Sequence, residues 1–333
     1  MRDQTKAGPG VRMERRRLFS RVLRLLLVCL SLTLSLVSQG VHAEEVIVVS
    51  SRLNGPHSKA ARVLETLLKE ASHGDFRIRQ MSVSDEEPFK IDAGPTDFIL
   101  TIGTKAFADV VVQNTSTRLI ALLIPEETYH VLLRANPRSE GKTSAVYIEQ
   151  PVQRNLELVR VALPGRKPGI LLGSQAGALE DQVNRVSKEL NLPVYLKKLK
   201  PKENLVAALD QVLKNCNVLV AFADPEVSNP STARHLLLTS YRFGIPVVAY
   251  SRAYVRAGAL MAVYSSPEQF AQQAAEMLLH VVQNKSKLVP APEYPRYFSV
   301  DINRNVARSL GINLKPRQEI ESRLRSTGGT SNE

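Results

Sequence analysis

The sequence contains no tryptophan, and phenylalanine and tyrosine make up only 5% of its 333 residues. So few rings exclude the stacking platform on which nucleic-acid bases are held. Basic residues are scattered, with one local cluster at Lys197, Lys198 and Lys200 that reads as a solvated face. No nucleic-acid partner is expected. Cysteine is nearly absent as well, Cys29 and Cys216 being the whole complement. Patterns that carry catalysis are missing: there is no G-x-S-x-G elbow and no H-E-x-x-H. His57, His73, His130, His235 and His280 are too dispersed to form a metal motif. Asn136-Pro-Arg-Ser-Glu-Gly-Lys-Thr143 ends like a phosphate loop, but Asn136 stands where the first glycine belongs and no strand leads into it. Cys216, just before an apolar strand, reads as a packed small residue and not as a nucleophile. The chain is therefore read as a non-enzyme, with no catalytic residue, no metal and no cofactor.

Long apolar runs are also scarce, and the one that exists lies at the start. A basic stretch, Met13-Glu-Arg-Arg-Arg17, is followed by a leucine-rich core over 25–37 and the small-residue site Val41-His42-Ala43. This order is that of a secretory signal peptide over residues 1–43, cleaved after Ala43. The run is shorter than the roughly 20 residues that a spanning helix needs. Val28 before Cys29 is not the small residue that a lipid-attachment site requires, so the expectation is a soluble periplasmic protein and not a lipoprotein. Translation can start at Met1 or at Met13. Eight of the 44 basic and two of the 32 acidic residues fall in the leader, leaving 36 against 30, a formal +6. Much of the overall +12 is thus targeting signal. With Cys29 removed no internal disulfide can form, and stability has to come from burial, for which about 290 residues suffice.

In the remaining chain short runs of Val, Ile and Leu alternate with stretches at helical spacing, the pattern of parallel sheets with crossover helices. Strands are expected at 46–50, 76–81, 98–101, 119–124 and 144–148, with helices at 58–71 and 105–113 and a weakly apolar stretch at 129–136. A second series follows: helices at 153–162, 180–190, 203–214 and 232–243, and strands at 169–172, 194–199, 218–223 and 246–250. Further strands are read at 260–264 and 298–302, a helix at 267–282 opening on proline, and a helix from Arg304. The polar residues 324–333 are expected to be a disordered tail.

Four stretches carry a resemblance: Ser144-Ala-Val-Tyr-Ile-Glu-Gln-Pro151; Phe222-Ala-Asp-Pro225; Gly244-Ile-Pro-Val-Val-Ala-Tyr-Ser251 with Ala257-Gly-Ala259; and Asp301-Ile-Asn-Arg-Asn-Val-Ala-Arg-Ser-Leu-Gly311. In their order and spacing they resemble the periplasmic substrate-binding proteins of ABC transporters, in the branch that includes binders of aromatic amino acids. The resemblance implies an α/β fold of the type I periplasmic-binding kind: two Rossmann-like lobes with parallel sheets, joined by three crossovers. Lobe 1 would be 44–149, completed by about 259–290, and lobe 2 would be 150–257, completed by about 298–323. The crossovers would then fall at 149–150, 252–258 and 303, with Gly258 the natural hinge residue. The chain departs from the family at Ile124-Pro-Glu-Glu-Thr128, where relatives carry a DPV-type loop and a glycine. That leaves the ligand class open. It also leaves a second reading, in which the same fold serves a sensor or an outer-membrane receptor system, beside the first, a monomeric solute carrier that partners an inner-membrane permease.

Ligands of open parallel sheets collect beyond the carboxyl ends of the strands. Ser50 and Ser51 follow the first strand, and Gly103 and Thr104 follow the third, so their hydroxyls and backbone N–H groups can hold a carboxylate or phosphate-like anion. Ser51 and Thr104 can equally be plain helix caps. On the other lobe Ser174 and Asp224 occupy equivalent places, with Asp224 a candidate acceptor for a ligand ammonium or simply a turn residue. Ser251 and Tyr254 at the second crossover, and Gln150 and Asn303 at the others, either reach the ligand or hold the hinge.

Overall fold

A computed structural model describes residues 45–72, 76–83, 90–94, 96–113 and 116–328. The leader, Cys29 and the cleavage site lie outside the described residues, as do 329–333 of the expected tail. No helix among the described residues is long and apolar enough to cross a membrane.

The continuous apolar runs Phe98–Ile102 and Arg118–Ile124 are buried along their whole length, as strands covered on both faces must be. They form the middle of a five-stranded parallel sheet with the order β2 (Arg77–Ser82), β1 (Glu45–Ser50), β3 (Phe98–Ile102), β4 (Arg118–Ile124) and β5 (Thr143–Tyr147). One face is covered by α1 (Gly55–Ser72), whose Ala60, Ala61, Leu64 and Leu68 recur at helical spacing. The other face carries α2 (Thr104–Val111), which buries Phe107 and Val110, and α3 (Glu126–Ala135), which buries Tyr129. Only one residue of α3 is buried, which is why its sequence reads as no more than a weakly apolar stretch.

The second sheet has six strands in the order β11 (Ser299–Ile302), β10 (Met261–Tyr264), β9 (Val247–Ala249), β8 (Val218–Val220), β6 (Pro168–Leu172) and β7 (Tyr195–Lys198). All its pairs are parallel except β10 with β11. On one face lie α4 (Val152–Ala162) and α5 (Gly177–Glu189), on the other α6 (Leu205–Leu213), α7 (Ala233–Arg242) and α8 (Arg252–Ala257).

The last elements correct the expected domain plan. β10 pairs with β9 and belongs to the second sheet, whereas α9 (Pro267–Gln283) packs its Phe270, Ala274 and Leu278 into the core of the first. The stretch expected to complete lobe 1, 259–290, is therefore split. Its strand stays with lobe 2 because Leu260 and Met261 close the apolar layer there. α9 starts on a capping box between Ser266 and Gln269, which stops the strand and turns the chain onto the other lobe. After α9 the chain runs beside β5, where Val289, Glu293 and Tyr147 donate backbone N–H groups to Gly141, Ala145 and Glu293 in turn. It then returns to lobe 2 through β11.

The three crossings are thus 148–151, 265–266 and 295–298. The expected crossovers at 252–258 and 303 are not crossings: 252–257 is α8, inside lobe 2, and Asn303 caps α10 (Arg304–Ser309) in the same lobe. Gly258 is the cap of α8, at φ 124°, and not a hinge. The tail expected from 324 is also corrected, because α11 (Arg317–Gly328) buries Ile320 and Leu324 against lobe 2.

Candidate functional site

Crossing 148–151 leaves the carboxyl end of β5, and crossing 265–266 leaves that of β10. Crossing 295–298 enters β11, whose Ser299 pairs with Tyr264 at the end of β10. All three connections therefore gather at the carboxyl edges of the two sheets, which makes the facing edges the place to look for a ligand.

On lobe 1, β1 ends at Ser50. That side chain is only 5% exposed, yet its hydroxyl has no partner among the described residues and is not fully enclosed. Ser51 is committed: its Oγ accepts the Ala106 N–H at 2.8 Å, so it caps α2 from a neighbouring strand and not the helix that follows it in sequence. Gly103 sits at φ 95°, and a Cβ there would lie 2.6 Å from both His57 Nε2 and Ser51 Oγ. Only glycine lets β3 turn into α2 beneath those groups. Thr104, the first residue of α2, is exposed and its hydroxyl is free among the described residues.

His57, in the first turn of α1, was not among the sequence candidates. Burial, and then the charge of Arg52, hold its imidazole below the usual histidine range, so it is neutral near pH 7 and can accept or donate one hydrogen bond. Leu53 is 80% exposed and Ile148 43% exposed at this same edge, apolar surface that neither lobe covers. At the end of β4 a bulge between Leu122 and Ile124 puts Leu123 at φ 54°, a left-handed position for a branched residue, and swings the chain into Pro125 and α3. Residues 124–128, where the resemblance led us to expect a departure, form this turn.

On lobe 2 the candidates work inward. The Asp224 carboxylate is 6% exposed and accepts three backbone N–H groups, from Gly173 at 2.7 Å, Glu226 at 2.8 Å and Val227 at 2.9 Å. It ties the end of β6 to the end of β8 through these three bonds. Ser174 gives its hydroxyl to Glu226 at 2.7 Å, a contact that holds the Glu226 carboxyl below the usual range. Ser251 caps α8 through the Tyr254 N–H. Tyr254 is buried, with its ring 4.9 Å from that of Tyr250, and cannot stack on a ligand in this arrangement. Asn303 accepts the N–H groups of Asn305 and Val306 and donates to the Val255 carbonyl, a purely local set of bonds.

Gln150 belongs to the hinge. Its Nε2 donates to Ser265 Oγ at 2.8 Å, and that hydroxyl donates to the Tyr297 carbonyl at 2.5 Å, so one chain of bonds links all three crossings. Arg154 in the first turn of α4 donates to Gln150 Oε1 at 2.6 Å and to the Pro295 carbonyl at 2.7 Å, with its guanidinium 4.4 Å from the Phe298 ring centre. Burial pushes that guanidinium down to about 10. Both ends of the Gln150 amide are therefore used. Of the ten sequence candidates, the structure brings Ser50, Ser51, Gly103 and Thr104 together on lobe 1, leaves free hydroxyls on Ser50 and Thr104, and gives the other six scaffolding contacts.

A groove of about 520 Å³ on the outer side of α9, lined by Glu276, His280, Glu293 and Arg296 among others, lies elsewhere. Its carboxylates already pair with Arg296.

Two layered α/β lobes that exchange their terminal elements and meet at strand carboxyl edges define a type I periplasmic-binding-protein-like fold. Residues 90–321 match the family described as ABC transporter substrate binding protein, and the chain belongs to that family. Among solved structures it is similar to a ligand-free, open substrate-binding protein with adhesive properties from Clostridium difficile: 14% identity, 83% of this chain and 97% of that one covered, TM-score 0.65. It is also similar to an ABC domain from Streptococcus pneumonia in complex with L-Trp, at 14% identity, with 84% and 97% covered and a TM-score of 0.55. A conserved domain protein from Vibrio cholerae gives 14% identity, 84% and 98% covered and a TM-score of 0.55. At such identities the likeness is one of fold. No curated protein matches the sequence.

Proposed function

We propose that this chain is the periplasmic solute-binding component of an ABC-type transport system, and that its ligand is a small carboxylate-bearing compound with an apolar part, such as an amino acid. The observation that carries the ligand class is Ser50, a serine that is 95% buried by its surroundings and still has an uncommitted hydroxyl at the carboxyl end of β1. Beside it stand the first turn of α2 with the free Thr104 hydroxyl, the neutral His57 and the cation of Arg52. Hydroxyls and N–H groups at a helix start favour an anionic head. Leu53 and Ile148 supply apolar contact for the remainder of the molecule. Family membership supports a carrier role, and L-Trp in the streptococcal structure is a ligand of the proposed kind.

A thermal-shift screen against amino acids, nucleobases, small peptides and organic anions tests the reading. A ligand at 100 times its dissociation constant stabilises by about 2.7 kcal/mol. Stabilisation by an amino acid or other carboxylate, lost in Ser50→Ala, is the expected result. A response to uncharged sugars alone would reject the anionic head.

A further inference from the structure

Each of the three crossings is fastened to lobe 1 at one end and to lobe 2 at the other, which leaves little backbone to bend. In the first, Ile148 donates its N–H to the Ile124 carbonyl of lobe 1 at 3.0 Å, and Pro151 is already the cap of α4 on lobe 2. Glu149 and Gln150 lie between. In the second, Tyr264 pairs with Ser299 inside lobe 2, and Ser266 caps α9 of lobe 1. Ser265 lies between. In the third, the fully buried Gln273 of α9 grips the incoming chain from lobe 1: its Nε2 donates to Glu293 Oε1 at 2.7 Å and to the Tyr294 carbonyl at 3.2 Å, and its Oε1 accepts the Arg296 N–H at 2.8 Å. Phe298 is already part of the lobe 2 core, where Arg325 of α11 donates to its carbonyl at 3.2 Å. Tyr297 lies between.

The residues left to bend, 149–150, 265 and 297, are those joined by the bonds from Gln150 through Ser265 to Tyr297. That chain of bonds can run in one direction only. Arginine only donates, so Arg154 fixes the amide oxygen of Gln150 on its own side and the amide nitrogen on the side of Ser265. The Tyr297 carbonyl only accepts, so the Ser265 hydroxyl, having accepted from Gln150, must donate to it. No amide flip or hydroxyl rotation keeps every bond, and with Gln150 only 6% exposed a broken bond leaves a buried polar group unpaired. Arg154 also reaches from lobe 2 to the Pro295 carbonyl, within the stretch that Gln273 holds to lobe 1. Close by, Gln269 Nε2 of α9 donates to Ser299 Oγ of β11 at 3.2 Å, a second bond between the lobes beside the same bending points.

Domain rotation is absorbed by a few residues, and atoms on its axis move least. Bonds among the bending points therefore persist while contacts farther out change. We propose that Gln150, Ser265 and the Tyr297 carbonyl mark the axis on which the lobes turn, and that Arg154 is a positioning residue that sets the polarity of this row. The row confines the lobes to one rotation and suppresses sway in other directions. It is a property of the crossings and does not depend on which ligand the cleft takes.

The test is an interlobe distance measured by pulsed electron resonance without ligand, between spin labels at Lys69→Cys on α1 and Lys214→Cys after α6, with Cys29→Ser and Cys216→Ser so that only these sites react. Ser265→Ala removes the middle link, and its distance distribution should be broader than that of the parent. Ser265→Thr, which keeps a hydroxyl, should restore the parent width. Ser187→Ala loses a comparable bond, from its hydroxyl to the Leu192 carbonyl at 2.7 Å, but within lobe 2 and away from the crossings, and should leave the width unchanged. A parent width in Ser265→Ala, a broadening that survives in Ser265→Thr, or equal broadening in Ser187→Ala overturns the proposal. If circular dichroism shows that Ser265→Ala does not fold, Gln150→Met decides: it removes both ends of the amide and should broaden the distribution, and an unchanged width overturns the axis.

Discussion

Ser50 and Asp224 illustrate how two polar residues at strand ends take opposite parts. Both are about 95% buried, but among the described residues Ser50 has no partner for its hydroxyl whereas Asp224 holds three N–H groups. Replacing Ser50 by Ala should weaken binding of the cognate carboxylate by roughly 0.5–1.5 kcal/mol, up to about 3 if the bonded ligand group is charged, with little change in melting temperature. Calorimetry of ligand binding beside a thermal melt checks both halves. Asp224→Ala should do the reverse, leaving buried donors unsatisfied and costing at least about 1–3 kcal/mol of folding stability, read from urea denaturation. Sequence alone offered the two residues on equal terms. Position after a strand is visible in the order of residues, but whether a side chain is already spent depends on partners some 50 places away, such as Gly173 for Asp224. The same limit concealed His57, which a reading of strand ends passes over because it stands in a helix and reaches the site only by packing on Gly103.

Among the elements, the legible ones were those whose burial is written locally. β3 and β4 are apolar throughout, and α1 and α9 show a clear buried stripe, so their limits were read to within a few residues. Short polar helices were not. α8 has the composition of a linker and reads as a crossover, although Tyr254 and Val255 are buried in lobe 2. An amphipathic helix reads identically whichever sheet it covers, so the limits of α9 are legible in the sequence while the lobe that its neighbour β10 joins is not. α11 is not legible as an element of its own, the sequence reading as one helix from Arg304 and a tail from 324, because its apolar residues, Ile320 and Leu324, are few. Both are almost fully buried, and Arg325 stacks on Phe298 beside the third crossing. Leu324→Ala should cost about 2–5 kcal/mol. A fall in the urea midpoint of this size identifies α11 as core; a change near zero would return it to the status of a tail.

For the molecule as a whole, Glu149 sets a pH dependence of stability with a definite sign. Its carboxyl is pushed up to about 7 in the folded chain from an ordinary value of 4.5, so between these limits the folded state binds more protons than the unfolded one. The contribution is fully present below about pH 4.5, is lost as pH rises to about 7, and is constant above that. Urea midpoints recorded from pH 5 to 8 should therefore slope more steeply downward in the parent protein than in Glu149→Gln, and parallel curves would show that Glu149 does not titrate in this range. The interleaving of the lobes has a consequence for biogenesis. Lobe 1 lacks α9, which shares one face of its sheet with α1, until residue 283 has been made, and lobe 2 lacks β11 until residue 302 and α11 until residue 328. Neither lobe can complete its core until the chain has crossed to the other lobe and come back. For a protein that we propose leaves the cytoplasm unfolded, this late closure is an advantage, because a nascent chain that cannot fold early stays fit for translocation.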